Sequence, residues 1–140
     1  MRALLIAALV LLTLASPAAA AEPTLEPAPM EFTSYSYVVL KRGPNWSEAD
    51  TPENAALQAA HRSHLRAMGD AGHMLVAGPF SDQVDESIRG ICIYRVPLEE
   101  ARAFATADPR VQAGQLVVEV MTWWTEKGAV AFPKAKPPTD

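Results

Sequence analysis

Cysteine is all but missing: Cys92 is the only one in 140 residues. One thiol closes no intramolecular disulfide, so packing alone must hold the fold. Cys92 sits inside an apolar run, Ile91-Cys92-Ile93-Tyr94, where a buried small hydrophobe is the ordinary role and a nucleophile the exceptional one. Positive charge is also scarce. Twelve Lys and Arg stand against sixteen Asp and Glu, a net charge of −4. No basic stripe with interleaved aromatics occurs, which argues against a nucleic-acid partner. The sequence has no G-x-S-x-G, C-x-x-C, H-E-x-x-H or phosphate-binding loop. Covalent and dinucleotide chemistry are therefore without support, and no cofactor is expected.

Long hydrophobic runs are missing too, with one exception at the start. Met1-Arg2 supplies a charge, residues 3–14 are almost all Leu, Ile, Val and Ala, and 18–21 are all Ala. Charge, apolar core and small-residue site are the three parts of a secretory signal. The run falls short of the roughly 20 apolar residues a permanent span needs, and no Cys follows it to carry a lipid. The pattern predicts cleavage after Ala20 or Ala21 and an exported protein, secreted or periplasmic, with no stable membrane insertion. Losing Arg2 would leave 11 basic residues against 16 acidic ones.

What remains reads as one domain between two loose ends. Pro23, Pro27 and Pro29 mark 22–33 as a flexible leader. Residues 34–40 (SYSYVVL) are aromatic and β-branched and predict a strand. Gly43-Pro44 breaks it. Thr51 can cap a helix, with Pro52 at its first position and Glu53 on its dipole. Leu57, His61, Leu65 and Met68 then recur at helical spacing up to Gly72. Strands at 74–77 and 88–96 follow, separated by an acidic loop. A helix from Leu98 ends at Asp108-Pro109, because a residue before proline avoids helical angles. Asp108 can itself cap a short turn to Gly114. The last strand covers 116–124, and 126–140 reads as a flexible tail.

The order β-α-β-β-α-β predicts an α+β ferredoxin-like fold, a four-stranded antiparallel sheet with two helices on one face. That leaves the other face open. Val117, Val118, Val120 and Met121 put apolar atoms on both sides of the last strand, so a homodimer through the sheets is expected. Trp123 and Trp124 must point to opposite faces, one into the core and the other to a dimer contact or pocket wall.

Several of these pieces together resemble the YciI-like (YCII-related) family. They are Tyr37 to Leu40 with Arg42-Gly43-Pro44-Asn45-Trp46, His61 with Leu65, Gly72 through Ala77-Gly78-Pro79-Phe80, Arg89-Gly90, Ala107-Asp108-Pro109, and Gly114 to Trp124. The resemblance runs from about Tyr35 to Thr125 and implies a ferredoxin-like dimer with a His/Asp pair at His61 and Asp108. The signal segment departs from relatives that look cytoplasmic, which puts any borrowed pathway role in doubt.

An imidazole on an apolar stripe is a general base if a carboxylate orients it, and otherwise a satisfied core histidine. Asp108 is the natural orienting carboxylate, and equally a helix cap; the two roles are compatible. His64 lies one turn from His61 and joins it as a candidate for substrate contact. An H-x-x-H pair is two ligands only, and His73 lies beyond the Gly72 stop, so no metal is expected. Arg42 and Trp46 supply a fork donor and a flat ring for an anionic or aromatic ligand, or else a loop anchor. Pro79 completes the candidate substrate contacts, its alternative role being to shape backbone. The equipment points to a small-molecule enzyme performing proton abstraction, elimination or isomerisation. The alternative is a non-catalytic module that holds a small molecule or a partner in the same cleft.

Overall fold

The computed structural model describes residues 29–135; the expected signal segment, most of the leader and the end of the tail lie outside them. Seven elements follow in order: β1 (Phe32–Arg42), α1 (Pro52–Asp70), β2 (Met74–Pro79), β3 (Ile88–Tyr94), α2 (Leu98–Thr106), α3 (Pro109–Gln112) and β4 (Leu116–Glu126). The sheet order is β2-β3-β1-β4, and every neighbouring pair is antiparallel. This is the α+β sheet with helices that a ferredoxin-like fold requires.

The helices form where local chemistry directs them. Thr51 Oγ1 accepts the Asn54 N–H at 3.2 Å, Pro52 takes the first turn, and Gly72 at φ +78° ends the run in the left-handed region. Asp108 caps α3, its Oδ1 accepting the Arg110 N–H at 2.8 Å.

In β1, Ser36, Val38 and Leu40 are buried while Tyr35, Tyr37 and Val39 are only half-buried. The buried set faces the helices. Val38, Cys92, Tyr94, Ala101 and Ala105 form one core cluster there, and the two alanines let α2 approach the sheet closely. Burial pushes the Cys92 thiol up to about 12, with the Asp108 charge adding to the effect. The opposite face carries Tyr35 and Tyr37 against Trp123, at 5.9 and 6.2 Å between ring centroids. Val117 and Met121 are 42% and 43% exposed beside them.

Strands β1 and β4 run longer than the sequence pattern predicts, because they pair with each other over their full lengths, from Phe32–Glu126 to Arg42–Leu116. Trp124 is not in the core: it points to the helix side, near the end of β4, and is 63% exposed. The segment after β4 is tied back by Lys127 N–H to the Glu31 carbonyl at 2.8 Å. Phe132 then packs edge-on against Tyr35 at 5.4 Å.

Two loops at one end of the sheet are locked together by the main chain. Gly43 N–H donates to the Gln115 carbonyl at 2.8 Å and Asn45 N–H to the Gly114 carbonyl at 2.9 Å. A Cβ on Gly43 would collide with the Gly114 carbonyl oxygen, so the approach needs glycine there. This clamp brings the loop bearing Trp46 against the turn bearing Arg110, at the mouth of a cavity.

Candidate functional site

A cavity of about 400 Å³ opens between α1 and the sheet, within the range typical of small-molecule sites. Its apolar floor includes Leu40, Leu65, Ile91 and Leu116; its polar wall carries Gln58, His61, Arg62, Arg89 and Arg110. Among the described residues, no three His, Cys, Asp or Glu side chains converge as a metal site would need.

His61 and Asp108 meet on this wall although 47 positions separate them. His61 Nδ1 lies 2.6 Å from Asp108 Oδ2. His61 is 8% exposed and Asp108 only 1%, so little water competes for the bond. A carboxylate accepts and cannot donate, so Nδ1 carries the hydrogen. That fixes the tautomer and leaves Nε2 as the nitrogen available to a molecule in the cavity. Asp108 keeps its other oxygen for the Arg110 N–H. One side chain therefore caps α3 and orients the imidazole.

Trp46 and Pro79 also line the cavity. Trp46 does more than anchor its loop: the guanidinium carbons of Arg110, Arg89 and Arg42 lie 4.7, 5.0 and 5.5 Å from its ring centroid. Its indole N–H is buried and has no hydrogen-bond partner among the described residues.

Two residues expected here are elsewhere. Arg42 is outside the cavity wall and is neutralised by Glu48 at 3.1 Å and Glu86 at 3.6 Å. His64 also lies outside it: its Nε2 lies 3.0 Å from the Phe104 carbonyl, to which it can donate. Three residues along a helix bring a side chain back to within about 60° of the first, so His64 sits beside His61 on α1 but on the flank that meets α2.

The sequence pattern did not single out Arg110 or Gln58, and it named Arg89 only as one piece of the family resemblance, not as a site residue. Arg110 Nη1 donates to Gln58 Oε1 at 2.6 Å and its Nε to Gln115 Oε1 at 3.0 Å. Gln115 Nε2 in turn donates to Asn54 Oδ1 at 2.6 Å, and Asn54 Nδ2 to the Ala49 carbonyl at 2.7 Å. This amide relay ties α3, the turn before β4, α1 and the Trp46 loop into one support. Burial lowers the pKa of Arg110; the Asp108 charge opposes the shift and the Arg89 charge adds to it. The guanidinium still carries its charge throughout the ordinary pH range.

A family model described as the YCII-related domain matches residues 36–124. No curated protein matches the chain. Among solved structures, it is similar to a 5-chloro-2-hydroxyhydroquinone dehydrochlorinase from Burkholderia phenoliruptrix AC1100, in complex with 2,5-dihydroxybenzoquinone. The identity is 17%, the match covers 63% of this chain and 90% of that one, and the TM-score is 0.42. At that distance the likeness carries no argument about chemistry.

Proposed function

The chain belongs to the YCII-related family, and we propose that it is a small-molecule enzyme in which His61 is the general base and acid and Asp108 its positioning partner. One observation carries this: the 2.6 Å bond from His61 Nδ1 to a nearly solvent-free carboxylate, on the wall of a cavity of suitable size. Nε2 takes a proton from a carbon or hydroxyl acid, and the imidazolium so formed is held by Asp108. The released electron pair either moves into an adjacent carbonyl, with the proton returned at another atom, or expels a leaving group. These are isomerisation and elimination. A positioned base of this kind contributes about 10²–10⁴-fold in rate.

The test is solvent exchange. A panel of small carbonyl compounds is incubated with the mature protein in D2O, and deuterium at the activated carbon is followed by NMR. Wild type exchanges at least one of them, and folded His61→Ala loses about 10²-fold or more. Equal rates in the two proteins reject the acid–base role. A compound that binds wild type without exchange or turnover favours a binding module instead.

Two further parts of the proposal concern where and how the protein works. A second copy covers the open sheet face, a reading supported by the exposed Val117 and Met121 beside the Tyr35, Tyr37 and Trp123 cluster. Export rests on residues 1–21 of the sequence; the mass and N-terminal sequence of the protein recovered outside the cytoplasm check it.

A further inference from the structure

On the footing that this cavity is the working site, we propose that its substrate is a small organic anion: a carboxylate on a compact apolar skeleton, with its charged end against Arg89 and Arg110. The wall facing the cavity carries Arg62, Arg89 and Arg110 and no Asp or Glu, in a chain whose net charge is −4. An acidic protein has little reason to gather three guanidiniums on one concave wall unless something negative enters.

The two inner arginines lack the partners that arginines usually take. Among the described residues, the Arg89 guanidinium makes no hydrogen bond and no ion pair; its contact is the Trp46 ring at 5.0 Å. Both side-chain bonds of Arg110 go to neutral amide oxygens, those of Gln58 and Gln115. These bonds fix direction without cancelling charge. Arg42 shows the other outcome in the same neighbourhood, since Glu48 and Glu86 neutralise it. Arg89 and Arg110 both lie within 5.0 Å of one ring centroid, and like charges so placed repel. The ring's negative face offsets part of that repulsion. A bound carboxylate would remove the rest, and guanidinium forks match its two oxygens.

The rest of the ligand meets Leu40, Leu65 and Leu116, so an apolar body is favoured over a second charge. With a carbon acid, the same guanidiniums would oppose the negative charge that builds up as His61 takes the proton.

Calorimetric titrations with benzoate and cyclohexanecarboxylate, each against its neutral amide, test this on the mature protein. At least one carboxylate binds about tenfold or more tightly than its amide, and binding weakens with added salt. Arg89→Gln brings the ratio of carboxylate to amide affinity down toward one. Arg89→Lys retains part of the preference, since the charge survives and the fork does not. The proposal is overturned if acid and amide bind alike, if neither carboxylate binds the folded protein, or if folded Arg89→Gln binds carboxylate as wild type does. His61→Ala separates the two readings. Carboxylate binding that persists in a His61→Ala protein with undiminished exchange upholds the anion site while the acid–base role falls.

Discussion

Val38 and Val39 are neighbours of identical chemistry in one strand, and they face different environments. Val38 is 0% exposed and packs with Cys92, Tyr94 and the alanines of α2. Val39 is half-buried on the open face, in register with Ile91 and Glu119. The helix-covered side supplies the packing that holds the fold, and the cavity with its oriented histidine opens where that packing is incomplete. The open side contributes aromatic surface to an exterior. The packed core and the cavity are therefore concentrated on one side of the sheet, and the exposed apolar and aromatic surface lies on the other.

The covered side should fail first under alkali. Native Cys92 holds its proton until about 12, whereas an unburied thiol releases it near 9.0. Its contribution is complete below pH 9.0 and is lost as pH rises toward 12, by at most about 4 kcal/mol. Burial raises the Tyr94 hydroxyl pKa as well, and this adds to the same loss. Urea melts at rising pH should show wild type weakening faster than Cys92→Ala; parallel slopes would remove the thiol from the account.

Next in size is Asp108→Ala, which strips His61 of its acceptor and Arg110 of its cap, at a cost of about 3 kcal/mol by denaturant titration. Asp108→Asn keeps an oxygen for the cap and should lose about half as much.

Val38→Ala should cost roughly 2 kcal/mol and Val39→Ala less than about 1 kcal/mol. Those figures are for the isolated fold; equal losses would mean that Val39 is covered in solution, as the proposed second copy would cover it. Smallest in stability is Met121→Lys, within about 0.5 kcal/mol for the isolated fold. Light scattering should nonetheless show it halving the particle mass if two copies meet through the sheets. An unchanged mass would place association elsewhere.

The element order was legible in the sequence because each boundary carries its own local signal: Thr51-Pro52, Gly72, Asp108-Pro109. His61 was legible from its place on an apolar stripe, and Asp108 from its turn together with the family resemblance. Arg110 was not, and Arg89 only as one piece of the resemblance, without a role. One follows an acidic loop and the other a proline, settings in which arginine is ordinary surface. What makes them part of a site is tertiary: the clamp that carries Trp46 to them and the amides of Gln58 and Gln115 that aim one of them. His64 misled for the converse reason, since helical spacing alone does not say which neighbour a side chain meets.

The paired glycines at the cavity mouth have a kinetic consequence. Because Gly43 and Asn45 hold Gln115 and Gly114 by the main chain, the Trp46 loop and the turn before β4 move as one piece. On that side of the entrance a ligand meets a wall already in place. Its observed association rate should rise in proportion to concentration without levelling off, and discrimination between ligands should appear in how long each one stays.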